Sequence, residues 1–421
     1  MCRFALSPSV TLRKEWFGGI AYISIPPGIY HQFNHDAYKV FRELVVPRDI
    51  PTIVCEIKKS GFDVEEVEVG EFIARAKFMG IVIPRNGSDQ PESRIYFDDK
   101  LSFRQDCLVA PTSVTIYITE KCTKLCKHCV VRSSPRVDTA GELSAEDWKV
   151  VLNKLRSSGV CSVVITGGEP LLKPGILEII SHADDIGLGI SLLTDYDYIN
   201  RDVIAFLESR QHLVDIQTSI DGSTPGVHDY LRGQGSFKAA LHRLSLLRDC
   251  KIDYTISFTA HRGNVNEIDG VVEIAKQYGA RYIYINPLAP YGRAKNDDIA
   301  ELILGEQELK WLARKYVQII RDSGVDSGNP FWQQASELTH SDDFDPFHNT
   351  LTAVSLGTYN MSLDSHGECY LDSKMKSEGI MRIGNIVTDS VEDIWYNPII
   401  DRLRRYYSPD SFSFVVQSVI D

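Results

Sequence analysis

From residue 112 onward the chain alternates short apolar, β-branched runs with stretches of helical period. The runs fall at 112–119, 161–166, 188–194, 214–220, 253–260 and 281–287; the helical stretches lie near 144–158, 174–186, 200–210, 236–249, 264–278 and 305–322. Alternation at this spacing predicts parallel strands joined by right-handed crossovers, an α/β fold. Six such units make a partial (β/α)6 barrel over 112–325. The first 85 residues read differently. Strands are predicted at Val10–Arg13 and Gly19–Ile25, then a helix capped by Asn34 and running through Ala37, Val40, Phe41 and Leu44. Two more helices, Ile50–Lys59 and Val69–Met79, and a closing run Ile81–Ile83 complete a small α+β domain. Arg85–Ser93 is polar and turn-rich, so 86–111 reads as a linker, and 326–421 as a small C-terminal α+β extension.

Composition narrows the function classes. A chain of 421 residues exceeds one ordinary core and predicts two or three domains. A net charge of −12 argues against a general nucleic-acid binder, because phosphate affinity is built largely from Lys and Arg. No apolar run approaches a membrane span and no secretion signal is visible. Nine cysteines, only three of them clustered, fit a reducing compartment, so the cytoplasm is expected.

The clustered three lie in Cys122-Thr-Lys-Leu-Cys126-Lys-His-Cys129, directly after the first predicted barrel strand. Three soft sulfur ligands in eight positions suit iron–sulfur ligation. A disulfide would leave an odd thiol, and structural zinc needs a fourth ligand, for which His128 stays available. Loops at the C-terminal ends of barrel strands are where such folds keep their chemistry. Thr166-Gly-Gly-Glu-Pro170 ends the second strand, where glycines let backbone approach a ligand and Glu169 offers an acceptor for an ammonium group.

With its CxxxCxxC stretch after the first barrel strand, the chain resembles the radical S-adenosylmethionine (SAM) enzymes. The resemblance implies that Cys122, Cys126 and Cys129 hold three irons of one [4Fe–4S] cluster whose fourth iron binds SAM. An electron from a donor such as flavodoxin or ferredoxin then yields a 5′-deoxyadenosyl radical that abstracts hydrogen. It also implies that Gly167, Gly168 and Glu169 bind the SAM amino group, with Ser219 and Asp221 toward the ribose. Thr194 ends the third strand, where relatives often have Thr-Asn-Gly; Asp195 and Tyr196 depart from that pattern. Arg232 is a partner for the SAM carboxylate or, equally, a helix-start salt bridge. Pro290–Ala294 resembles a turn that lies near SAM in the family, although Arg293 also reads as a surface charge.

At the two ends the chain resembles peptide-modifying members of that family. Residues 1–85 resemble a PqqD-like domain, winged-helix in outline, that holds a precursor peptide's leader by pairing it with a sheet edge. A DNA-reading winged helix is disfavoured by eleven Lys/Arg against eleven Asp/Glu in residues 1–90. Residues 351–397 resemble the SPASM or twitch domain that carries auxiliary clusters, yet Ser355 or a neighbour and Asp372 stand where cysteines are expected, and none follows Cys369. One cluster is therefore expected, and with it a redox-neutral reaction. The leading expectation is epimerisation of L- to D-residues in a ribosomally made precursor peptide. Cys369, placed in a turn over the barrel mouth, would return the hydrogen. Thioether or carbon–carbon crosslinking, a non-catalytic leader-binding scaffold and a cofactor-building enzyme acting on a small molecule are the alternatives.

Overall fold

The computed structural model describes residues 2–25, 28–85, 94–96, 104, 107–195, 197–325 and 359–407. Expectations for Tyr196, Ser355 and the chain beyond 407 lie outside them.

The six apolar runs form six parallel strands in sequential order: β7 (Ser113–Tyr117), β8 (Ser162–Thr166), β9 (Gly189–Leu193), β10 (Leu213–Ser219), β11 (Tyr254–Ala260) and β12 (Tyr282–Pro287). The α/β reading is met. Val114, Ile116, Val163, Ile165, Ile190, Leu192, Ile256 and Ile283 are buried, packed with Trp148, Leu152, Leu155 and Ile180 from the outer helices in one continuous core. Several helices begin where the sequence supplies a capping side chain, as at Asn34, Asp49, Ser144 and Asn200. At Ala145–Ser157, for example, the Ser144 hydroxyl accepts from Asp147 N while Asp147 reaches back to Ser144 N. A helix over Pro225–Arg232, not foreseen as a separate element, follows β10.

The first domain joins strands β1 (Phe4–Leu6), β2 (Val10–Glu15), β3 (Gly18–Ile23) and β4 (Ile29–Phe33) to helices α1 (His35–Glu43), α2 (Ile50–Lys59) and α3 (Glu66–Phe78) and strand β5 (Val82–Pro84). β1 and β4 escaped the pattern reading. In the expected linker, β6 (Arg94–Tyr96) pairs in parallel with β2. The domain is seated under the barrel, against the first residues of its strands. Arg13 Nη1 donates to Pro111 O (3.0 Å) and Gly159 O (2.9 Å), and Arg13 Nε to Glu15 Oε1 (2.7 Å). Val109 N donates to Glu15 Oε2 at 3.0 Å. Tyr30 OH lies 2.8 Å from Ser162 Oγ, and Ser24 Oγ 2.6 Å from His212 Nδ1. Gly189 admits the Tyr22 hydroxyl so closely that a Cβ there would sit 2.0 Å from it.

The tail continues the barrel sheet past its first strand. β13 (Asn360–Leu363) runs parallel to β7, and β14 (Glu368–Tyr370) and β15 (Arg382–Asn385) add antiparallel strands, giving nine in order β12-β11-β10-β9-β8-β7-β13-β14-β15. Cys369 is the middle residue of β14, not part of a turn over the mouth. No described helix is long and apolar enough to cross a membrane.

Candidate active site

The three cysteines occupy the loop that leaves β7 at the end opposite the first domain. All three are partly exposed free thiols. Burial pushes Cys122 up to about 12 and Cys126 up to about 11, the pull of Arg232 on Cys126 notwithstanding. A metal that takes thiolates must therefore supply the cost of ionising them. Among the described residues no three His, Cys, Asp or Glu side chains converge on a single-ion site. Three soft, partly exposed sulfurs on one loop are a donor set that fits an iron–sulfur cluster.

The loop is held by its neighbours' backbone. Gly168 N donates to Thr119 O (2.7 Å) and Glu169 N to Lys121 O (2.8 Å). A Cβ on Gly167 would lie 2.4 Å from Thr119 O, and one on Gly168 2.1 Å from Lys121 O. These glycines thus bring two loops together, a tighter demand than close approach to a ligand. Glu142, which the sequence reading missed for want of any motif, is the hub beneath. Its Oε1 accepts from Thr119 Oγ1 (3.0 Å) and Glu120 N (2.8 Å), and its Oε2 pairs with buried Lys173 at 3.1 Å.

Glu169 is 1 % exposed. Its Oε1 accepts from Leu171 N (3.0 Å) and Thr194 Oγ1 (2.7 Å), its Oε2 from Asp195 N (2.9 Å). A carboxylate has about four acceptor positions, so one remains for a ligand ammonium. Burial nevertheless outweighs these bonds and raises the carboxyl to about 7. Thr194, expected to face SAM, orients Glu169.

Arg232 and Asp221 form a buried pair. Arg232 Nε donates to Asp221 Oδ2 at 2.5 Å, Nη1 reaches Asp195 Oδ1 at 3.5 Å, and Nη2 lies 3.4 Å from His128 Nε2. Thr259 N donates to Asp221 Oδ1 (2.8 Å) and Asp221 N to His228 Nδ1 (3.0 Å). Although burial opposes ionisation, Arg232 and the other partners hold Asp221 down at about 2. Arg232 thus ends the helix Pro225–Arg232 in a salt bridge to Asp221, which is fully buried. Burial, against the pull of Asp221, lowers His128 to about 4, so at neutral pH it is an uncharged ring beside the guanidinium. Asp195, whose departure from the family pattern was the available signal, also pairs with Lys124 inside the cysteine loop. Ser219 stands half-buried at the end of β10. Arg293 is no surface charge: Nε donates to Cys126 O (2.7 Å), Nη1 to Ser133 O (2.9 Å), and its backbone N to Cys129 O (3.0 Å).

Cys369 corrects an expectation. It is fully buried among Met361, Leu363, Leu371 and Ile383, with Sγ 3.6 Å from Gly367 O, and burial drives its thiol far above the ordinary range. As placed, its thiol is closed off from the barrel's solvent-facing surface.

Residues 116–277 match the family model described as the Radical SAM superfamily. The match runs from β7 into the helix that follows β11, and the enzymes of that superfamily use a [4Fe–4S] cluster and SAM as cofactors. Among curated proteins, the chain is 27 % identical to the AdoMet-dependent heme synthase of Methanosarcina barkeri, over 70 % of this chain and 85 % of that protein. It is 32 % identical to the mycofactocin maturase MftC of Mycolicibacterium smegmatis, over 49 % of this chain and 53 % of the relative, so it spans about half of that maturase's length. Among solved structures, Streptococcus suis SuiB bound to S-adenosylmethionine is similar with a TM-score of 0.70 at 17 % identity, covering 95 % of this chain and 90 % of SuiB. A SuiB structure with the precursor peptide SuiA gives 0.69. Those likenesses show the fold.

Proposed function

We propose that this protein modifies a ribosomally synthesised precursor peptide by hydrogen abstraction. The observation that carries the reading is the whole-chain likeness to a structure that also appears with its precursor peptide, first domain and tail included. The bound cofactors supply an adenosyl radical. The chain's own residues present the ligands: Cys122, Cys126 and Cys129 toward the cluster, Glu169 toward the SAM ammonium, with Thr194, Asp195 and Arg293 fixing them in place. The first domain holds the leader, and a reducing cytoplasm suits nine free thiols.

Two chemical outcomes compete. Epimerisation is redox-neutral and suits a single cluster, but it needs a hydrogen donor. Of the nine cysteines, Cys107, Cys161 and Cys369 are buried, while Cys2 and Cys55 are exposed on the first domain. Burial of Cys369 favours the second outcome, a thioether or carbon–carbon crosslink. A small-molecule substrate is a separate reading, favoured by the high coverage of the heme synthase. Co-expression with short peptides encoded beside the gene, in deuterated water, separates all three by mass spectrometry. Epimerisation adds one deuterium per converted residue, and crosslinking removes two hydrogens. SAM cleavage that no peptide stimulates would sink the peptide reading.

A further inference from the structure

We infer that the tail helix α4 (Ser373–Glu378) is a clamp that positions the cysteine loop. The Asp372 carboxylate starts the helix: Oδ1 accepts from Lys374 N (2.8 Å) and Met375 N (2.9 Å). From this helix two side chains reach the site. Lys376 Nζ donates to Glu120 Oε1 at 2.7 Å, two residues ahead of Cys122, and stands 4.7 Å above the Tyr117 ring at the end of β7. The two side chains are only 8 % and 18 % exposed, so solvent screens the pair weakly.

Glu378 grips the other end. It pairs with Lys295 and accepts from Gly292 N at 3.5 Å. Gly292 is pressed onto the loop just after the third cysteine: a Cβ there would lie 2.4 Å from Cys129 O and 2.1 Å from Val130 O. The next residue, Arg293, binds the carbonyls of Cys126 and Cys129. One short helix therefore fixes the chain before the first cysteine and, through Gly292 and Arg293, behind the third. Lys376 and Glu378 are positioning residues, since neither touches a cofactor ligand itself.

The test compares Lys376→Glu with the swap Glu120→Lys/Lys376→Glu. In metal-free protein, amide exchange across residues 120–134 should be at least tenfold faster in the single variant, with helix 145–157 unchanged. After anaerobic reconstitution its iron content should fall below half that of wild type, and the swap should restore both readouts. Wild-type exchange and iron in Lys376→Glu overturn the inference, as does a folded swap variant that stays defective. If Lys376→Glu does not fold, Lys376→Met is read by the same criteria. Neither readout involves a substrate, so failure here leaves the peptide proposal standing, and failure of that proposal leaves the clamp untouched.

Discussion

Glu169 shows how a single residue combines a legible role with an illegible setting. Its place at the end of the second strand marked it as an ammonium acceptor. Its raised carboxyl, near 7, depends on burial and on Thr194 and Asp195, which lie some 25 residues downstream. A group lifted from about 4.5 to about 7 is protonated in the ligand-free protein below that value, and a neutral acid is a poor ammonium partner. SAM affinity should fall as pH drops from 7.5 to 5.5, approaching tenfold per pH unit at the acid end. Glu169→Gln should bind weakly at all of these pH values and show a flat profile. Isothermal titration of the anaerobic protein measures both. Arg232 was less legible, because Asp221, Asp195 and His128 become its neighbours only when β7 to β10 line up in one sheet.

Between elements, the information in the sequence was uneven. Period-two and period-3.6 patterns located all six barrel strands, since each buries one face against helices. They missed β1, with three residues, and β4, a five-residue strand that follows Pro26–Pro27. They also gave no hint that the tail strands extend the barrel sheet, because pairing between segments some 245 residues apart leaves no local mark. The glycine pair after β8 was visible, but its purpose emerged only from the loop facing it. Gly168→Ala should force the Lys121 carbonyl, and with it Cys122, out of register. We expect a folded barrel by circular dichroism with iron incorporation reduced several-fold; full incorporation would show that the loops can yield.

Across the whole molecule, the first domain is fastened by a buried ion pair. Arg13 and Glu15 are 1 % exposed, and their bonds reach three backbone groups of the barrel floor. Removing one member of such a pair leaves the other charge uncompensated, at a cost of about 3–5 kcal/mol. Arg13→Met should lower stability by that order in urea unfolding. It should also separate the transition of residues 1–85 from that of the barrel in limited proteolysis, whereas wild type should resist as one body. The barrel, the place of the three cysteines after its first strand and the three helices of the first domain could be read in advance. Which end of the barrel receives that domain could not, since nothing in Arg13 or Tyr30 names Gly159 or Ser162 as its partner.

That seating sets a ruler. The domain meets the starts of β7 to β10, and the thiols stand beyond their far ends. Five to seven strand residues intervene, about 17–23 Å at roughly 3.3 Å each. On the proposed reading, a peptide anchored below and altered above would bridge at least this height, with some half-dozen extended residues between its gripped portion and the first position within reach.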